Sequence, residues 1–232
     1  MTANMTARQE TLLKELLEKF ISQAEPVSSA LLAKRLRVSS ATVRNELAEL
    51  EKAGYVEQPH TSAGRIPTLQ GYRFYVERYL SSKEPAEAVS KRLKGCLNAD
   101  HQAKAIAKEL AELAQAAVMI ALGKDSFYYT GISELFSQPE FNNQQTVVSI
   151  SRVLDVLGEA LESLYRSAST ETSVLIGENN PLSPACALFV NRCLVEKDRE
   201  GILAMVAPLR NDYNRNLGMI SFAKQLLDKQ NA

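Results

Sequence analysis

The apolar residues at the start of the chain recur at helical spacing. Between residues 6 and 22 they fall at i, i+1, i+4, i+5, i+8 and i+9, beginning with Leu12, and this predicts one amphipathic helix. Glu25-Pro26 ends the helix, because a residue that precedes proline disfavours the helical conformation. Ser28 is well placed to cap a second helix, whose apolar residues are Leu31, Leu32 and Leu36.

Only residues 37–39 separate the second helix from a third, which is the spacing of a helix-turn-helix. We expect the third helix to run from Ser40 to Ala53, with Gly54 just past its end. Its apolar residues share one face, so the opposite face carries Ala41, Arg44, Asn45, Ala48 and Lys52. Small and polar residues suit a DNA major groove, although any surface helix also exposes polar residues.

Two short strands and a further helix follow directly. Residues 55–58 and 65–67 read as strands, and residues 59–64 as the tight connection between them. Thr68 can cap a fourth helix, whose apolar face is Tyr72, Tyr75, Val76, Tyr79 and Leu80. A hairpin immediately after a helix-turn-helix is the arrangement of a winged helix.

Charge is distributed unevenly along the chain. Lys and Arg together number 27 and so do Asp and Glu, so the net charge is zero and identifies no partner. Residues 1–83 carry 12 basic against 9 acidic residues, which leaves 15 against 18 for the remainder. Within residues 28–73 the count is seven basic against four acidic. This local excess is what a phosphate-binding face requires.

The candidate DNA contacts divide into three groups. We expect the major groove to meet Ser40, Thr42, Arg44 and Asn45, and the sugar-phosphate backbone to meet the hairpin residues His60, Thr61, Ser62 and Arg65. Ser39 and Ser40 also offer hydroxyls and helix N-terminal amides to a phosphate. Further candidate contacts are Tyr72 and Arg73. In an alternative interpretation, the winged helix docks another protein and not DNA.

The polar segment 81–85 predicts a domain boundary, with one domain over residues 1–82 and a second over 83–232. Residues 100–122 predict an alanine-rich helix. Apolar residues in 144–166 are spaced 3, 4, 3, 4 and 3 apart, which is too short to establish a coiled coil alone. Either this is a core helix, or the two helices pair with a second subunit through Ile150, Leu154, Leu157 and Leu161.

Apolar, β-branched runs follow at residues 173–176, 186–195 and 202–209, with a charged turn at 196–201. A helix over about residues 212–229 closes the chain. The fold class is therefore α+β, with a winged helix-turn-helix in front of a small α+β domain that includes a helical segment.

No catalytic, cofactor or metal-binding motif is present. The glycines form neither a dinucleotide-binding nor a P-loop pattern, and neither GxSxG nor HExxH occurs. Three widely spaced cysteines and two histidines argue against a disulfide framework and a metal centre. No apolar run reaches membrane-spanning length, and the first residues lack the apolar core of a signal peptide. We therefore expect a cytoplasmic protein that is not an enzyme, needs no cofactor and does not bind a membrane.

Several segments resemble the HrcA family of heat-inducible transcription repressors. The longest, residues 25–80, includes SSATVRNELAELE over the third helix, QPHTSAGRIPT through the hairpin and GYRFYV in the fourth helix. Further pieces similar to this family are GISELFSQPEF (131–141), VLIGENNPL (174–182) and GILAMVAPLRNDYNRNLGMI (201–220).

The resemblance implies a repressor of chaperone genes that binds an inverted-repeat DNA operator as a homodimer, with its activity modulated by the GroE chaperonin. It also implies a GAF-like second domain carrying an inserted dimerising domain. This chain is shorter than the family pattern, so we expect a reduced GAF-like domain in which most early strands are absent. A ligand-sensing GAF-like regulator of other genes is the remaining alternative.

Overall fold

A computed structural model describes residues 5–60, 63–123, 126–141 and 157–232. The chain divides into two compact units, Met1–Leu80 and Ser81–Ala232. The first unit is mostly helical, and the second is built around a five-stranded sheet.

The first unit is a winged helix-turn-helix, as the sequence predicts. Its helices are α1 (Ala7–Gln23), α2 (Ser29–Leu36), α3 (Ser40–Lys52) and α4 (Leu69–Tyr79). A two-stranded antiparallel hairpin, which we call the wing, lies between α3 and α4 in the chain and consists of β1 (Val56–Glu57) and β2 (Ile66–Pro67).

A hydroxyl side chain begins every helix of this unit. Thr6, Ser28, Ser39 and Thr68 each accept a hydrogen bond from a backbone amide in the first turn of the helix that follows. Each bond satisfies a donor that has no partner within the helix, which stabilises the helix by about 1 kcal/mol. Local chemistry therefore sets where these helices start.

The core of the first unit is made of aliphatic and tyrosine side chains. The buried face of α1 packs against α2, α3, α4 and the wing. From these elements come the fully or nearly fully buried residues Leu12, Leu13, Leu16, Leu17, Leu32, Val43, Leu47, Leu50, Tyr55 and Tyr75. The side of α3 that carries Val43, Leu47 and Leu50 is thus fixed inward.

The second unit contains five helices, five strands and short 3-10 turns among its described residues. The helices are α5 (Glu87–Gly95), α6 (Gln102–Ala114), α7 (Ile132–Phe136), α8 (Leu157–Ser167) and α9 (Tyr213–Asn231). The strands are β3 (Ala117–Gly123), β4 (Ser126–Thr130), β5 (Ser173–Ile176), β6 (Cys186–Glu196) and β7 (Arg199–Pro208). They form one antiparallel sheet in the order β4-β3-β7-β6-β5.

Helices cover both faces of this sheet. Helix α8 packs on the face that carries Met119 and Val190, and α7 belongs to a cluster with Ala117 and Cys186 of the same face. On the opposite face, α6 packs against β3 and α9 packs against β6, where Tyr213 of α9 lies with its ring centroid 6.1 Å from that of Phe189. Both faces of the central strands are therefore buried.

The prediction of one helix over residues 100–122 is wrong. Helix α6 ends at Ala114, because Gln115 adopts the left-handed conformation (φ 50°), and the apolar run after it forms β3. A short apolar run bounded by turn residues has no periodicity that separates a buried strand from a helix. Pairing of β3 with both β7 and β4 decides the outcome. Strands β3 and β4 are early strands of this domain that the sequence interpretation did not place.

The strands predicted near residues 173–176, 186–195 and 202–209 are present as β5, β6 and β7. The turn between β6 and β7 lies at Lys197–Asp198, inside the predicted charged segment. The closing helix is present as α9. Of the segment 144–166, the described part from residue 157 onward is helix α8.

Candidate nucleic-acid interface

The outward side of α3 is held in place by the buried side. Val43, Leu47 and Leu50 are buried, so the helix cannot rotate without exposing them. Arg44 and Asn45 then lie exposed on the opposite side, together with Ala41. The small side chains of Ala41 and Ala48 allow the helix to approach a groove closely, so that the guanidinium of Arg44 and the carboxamide of Asn45 can reach base edges.

Two pairs of hydroxyl groups lie at the beginning of α3. The Ser39 hydroxyl accepts a hydrogen bond from the Thr42 amide at 3.0 Å and lies 2.8 Å from the Thr42 hydroxyl. The Ser40 hydroxyl lies 3.4 Å from that of Ser29 in α2. The predicted residues Ser39, Ser40 and Thr42 thus share one end of the helix, where amides and the helix dipole favour an anion.

The Arg44 side chain is exposed and lies along its own helix. Its Nε donates to the carbonyl oxygen of Ser40, one turn earlier, over a long distance of 3.4 Å. A bond of that length costs little to break, because it is near the limit of hydrogen-bond geometry. The guanidinium is therefore available to a nucleic-acid ligand.

The structure assigns Arg65 a different position from the one we expect for a backbone contact. Its Nη2 lies 2.9 Å from Glu51 Oε2 of α3, and its side chain is only 19% exposed. Its backbone pairs with that of Val27 through two hydrogen bonds of 2.9 Å, and a Cβ at Gly64 would overlap the Val27 carbonyl. Arg65 therefore ties the wing to α3, with its charge already paired.

The connection in the wing is a tight turn. The Ala63 amide donates to the His60 carbonyl at 2.8 Å, and Gln58 Nε2 donates to the Ala63 carbonyl at 3.0 Å. His60 is exposed at this tip, as a backbone contact requires. Thr61 and Ser62 lie outside the described residues.

The two candidates on α4 are less accessible. Tyr72 is 4% exposed, so its ring belongs to the core, and the expectation of a DNA contact for it is not met because the α4 apolar face is turned inward. Arg73 is half-buried, and its Nε is a buried donor with no partner among the described residues.

Sequence reasoning passed over two basic residues beside α3. Arg37 occupies the left-handed position (φ 54°) of the turn between α2 and α3, and Lys34 lies in the last turn of α2; both are exposed. Their positions three and six residues before the start of α3 are the signal that identifies them. By contrast, Arg35 is paired with Glu15 at 2.5 Å, and a hydrogen bond to Glu49 raises the pKa of Lys52.

Of the four proposed dimer contacts, Leu161 belongs to the interior of the second unit. Leu161 is buried against the sheet together with Leu164, Met119 and Val190. Ile150 and Leu154 lie outside the described residues, as does the side chain of Leu157. What the structure describes of this helix accordingly fits a core helix.

No group of three metal-ligating side chains occurs within the described ranges. Burial raises the pKa of the Cys186 and Cys193 thiols to about 12, so neither is a reactive thiolate.

Over the ranges that the structure describes, no helix combines the length and apolar character needed to cross a bilayer. A cavity of about 450 Å³ lies beside the N-terminus of α6, where the Lys104 ammonium stands 5.5 Å from the centre of the Tyr128 ring.

Comparison with known proteins identifies the family. The model described as "HrcA protein C terminal domain" matches residues 38–217, and a model described as "HTH domain" matches residues 8–59. A heat-inducible transcription repressor HrcA from Acetivibrio thermocellus is 33% identical over 82% of this chain. Its namesake from Carboxydothermus hydrogenoformans is 54% identical over 33% of the chain.

These matches cover 51% and 23% of the two relatives, so the chain spans about half or less of their length. A crystal structure of a protein described only as hypothetical has the same fold, with a TM-score of 0.79 at 19% identity over 98% of both chains. Because the family model matches residues 38–217, well over half of the chain, we conclude that the chain belongs to the HrcA family.

Proposed function

We propose that this protein is a sequence-specific DNA-binding repressor of heat-shock genes that recognises an inverted-repeat operator as a homodimer. The observation that carries the proposal is the outward side of α3, where Arg44 and Asn45 are exposed between alanines on a helix whose other side is buried. The printed names of its relatives, heat-inducible transcription repressors, supply the physiological setting.

Recognition proceeds from α3 outward. The α3 N-terminus, with Ser39, Ser40 and Thr42, approaches a phosphate, while Arg44 and Asn45 reach base edges in the major groove. Arg37 and Lys34 supply positive charge on the phosphates beside the groove, and His60 in the wing meets the backbone. Arg65 is a positioning residue, because its pairing with Glu51 fixes the wing relative to α3.

Gel shift on an inverted-repeat fragment of a chaperone promoter, against scrambled DNA at two salt concentrations, tests the proposal. We expect a preference for the repeat, and Arg44→Ala to weaken binding to it by about 1–3 kcal/mol while relaxing the preference. Arg35→Ala is the matched control, since Arg35 of α2 is already paired with Glu15 of α1. Equal affinity for all duplexes would refute sequence recognition and favour a protein-docking module.

The regulatory part of the proposal concerns the chaperonin. The family resemblance implies that GroE brings the repressor to its active form in the cytoplasm, and that unfolded proteins compete for GroE after heat stress. Added GroE should therefore raise the fraction of protein that binds the operator, and an excess of unfolded client should reverse the gain. An unchanged active fraction would remove the chaperonin from the mechanism.

A further inference from the structure

The sharpest question left by the proposed function is where a second copy binds. Of the residues that we expect at a dimer interface, the structure describes the side chain of Leu161, which packs with Leu164 on Met119 and Val190 of its own sheet. An interface at these described residues of α8 would require the core to open. Among the described residues, the surface that receives a second copy is therefore expected on another element of this unit.

Strand β4 presents the large hydrophobic residues that are exposed in the described part of the chain. Phe127 is 41% and Tyr129 is 47% exposed. Their ring centroids are 6.5 Å apart with nearly parallel planes, and as i, i+2 neighbours they lie on one face of the strand. Two adjacent exposed aromatic rings form an apolar patch whose burial is favourable.

The backbone of the same strand is also open to pairing. Among the described strands, β4 is the last in the sheet order and is paired on one side, with β3. Proteins usually protect such an edge with charges or proline, and the five residues Ser126–Thr130 contain neither. The opposite edge strand, β5, is half-buried or buried at all four positions.

We propose that β4 pairs antiparallel with β4 of a second copy, so that two sheets join into one. The identity of the occupant rests on the proposed function, because an inverted repeat presents two half-sites related by a two-fold axis. Antiparallel pairing of one strand with its own copy has that symmetry and closes as a dimer, whereas pairing of β4 with β5 would propagate into open assemblies.

The geometry fixes a register. Only one antiparallel alignment pairs all five residues of β4, and it places Tyr128 on the two-fold axis. Phe127 then lies directly opposite the partner subunit's Tyr129, and Tyr129 opposite the partner subunit's Phe127. Directly opposite residues of an antiparallel pair have Cβ atoms about 4.5–5.5 Å apart, close enough for ring contacts and for charge effects.

Charge substitution at these two positions tests the interface and its register together. In Phe127→Lys/Tyr129→Lys, lysine faces lysine across the axis, so the dimer dissociation constant should rise by about 100-fold or more. In Phe127→Lys/Tyr129→Glu, lysine faces glutamate, so dimer should return at concentrations where the first variant is monomeric. Both variants lose the aromatic pair, so they are matched controls for each other.

Sedimentation velocity without DNA measures the masses against the 25.6 kDa chain, and circular dichroism verifies that both variants are folded. A wild-type monomer at all concentrations, or a dimer that survives Phe127→Lys/Tyr129→Lys, would overturn the interface. Two charge variants that are equally monomeric would overturn the register, and higher polymers of wild type would indicate pairing of β4 with β5.

Half-site DNA separates this inference from the proposed function. The folded, monomeric lysine variant should bind a duplex carrying one half-site with wild-type affinity, yet lose the advantage of wild type on the complete repeat. If wild type dimerises through β4 but prefers no duplex, the repressor function fails and the interface stands. If wild type prefers the repeat while its dimer ignores both substitutions, the function stands and the interface fails.

Discussion

The two units of this chain are specified by different kinds of information. In the winged helix, each helix begins at a hydroxyl side chain that accepts a hydrogen bond from the amide three residues later. These capping residues are Thr6, Ser28, Ser39 and Thr68. In the second unit, α5, α6 and α7 begin without a side-chain cap, and α9 alone of the helices with a described start has one, from Asp212. Its structure is set mainly by a sheet whose central pair, β3 and β7, joins distant parts of the chain.

This difference separates local from long-range control of structure. A cap acts within one turn and can be read in a few residues, whereas β3 exists because β7, about eighty residues later in the chain, pairs with it. Substitutions in the two units should therefore differ in the size and in the origin of their effects.

The largest effect is expected in the centre of the sheet. Phe189→Ala removes a fully buried ring of β6 that contacts Tyr213, and it should lower the free energy of unfolding of the second unit by about 3–5 kcal/mol. Chemical denaturation followed by circular dichroism measures this loss of unfolding free energy. Phe189→Leu, which keeps most of the volume, is the control and should cost clearly less. Equal losses for the two variants would argue against close packing at this position.

The next effect is a loss of stability at high pH that arises in the second unit, which contains all three cysteines. Burial raises the pKa of Cys186 and Cys193 to about 12, whereas a thiol in the unfolded chain ionises near 8.5. Between these values the unfolded state binds fewer protons than the folded state, so stability falls as the pH rises. At pH 8 and below, this contribution is fully present.

Comparison with Cys186→Ala/Cys193→Ala isolates the thiols from other groups that titrate in alkali. From pH 8 to pH 10 the wild-type protein should lose about 2–4 kcal/mol more than this variant, at about 1.4 kcal/mol per pH unit and thiol above pH 8.5. Denaturation curves at both pH values give the difference. Parallel losses in the two proteins would mean that the thiols ionise in the folded state as readily as in the unfolded one.

Local signals made the first unit predictable and misled us in the second. Capping residues and apolar periodicity predicted the helix-turn-helix and the wing, and the HTH-domain match over residues 8–59 agrees with the helix-turn-helix. The strand at residues 117–123 was missed because its alanine-rich run fits a helix until β7 is taken into account. The candidate DNA face on α3 was predicted from a helical wheel, since both sides of that helix follow from one periodicity.

The errors in the site have the same origin. Arg65 is basic and lies next to a turn, so sequence alone favours a phosphate contact, but folding places Glu51 of α3 against it. Tyr72 belongs both to the apolar face of α4 and to a segment that resembles the family. Only the packing of α4 shows that its side chain is buried in the core. In both cases the deciding residue lies outside the local pattern.

Removing a helix cap in the first unit should lower stability less than removing a side chain from the core of the sheet. Thr68 accepts a hydrogen bond from the Gly71 amide at 3.3 Å and donates one to the Gly54 carbonyl at 2.6 Å. Thr68→Ala loses both and should cost about 1–2 kcal/mol of the stability of the winged helix. Thr68→Ser keeps the hydroxyl and serves as control. A cost for serine as large as that for alanine would show that the methyl group, and not the cap, stabilises this junction.

The smallest change in stability is expected from a substitution that gives the end of α6 a residue suited to its backbone conformation. Gln115 ends α6 in the left-handed conformation, with φ 50° and ψ 53°, a backbone geometry that costs a side-chain-bearing residue about 1–2 kcal/mol. Gln115→Gly relieves that strain but adds flexibility to the unfolded chain, so stability should rise by about 0.5–1 kcal/mol. Thermal or chemical denaturation resolves the change when both proteins are measured together.

Lys108→Gly is the matched control, because it introduces the same residue into the same helix at an exposed position of regular helical conformation. There glycine relieves nothing, and it should lower stability by about 0.5–1 kcal/mol. Opposite signs for the two variants would show that the end of α6 is set at Gln115 by backbone conformation as well as by the pairing of β3. If both variants are destabilised alike, the sheet alone determines where α6 stops, and the contrast between the two units becomes sharper.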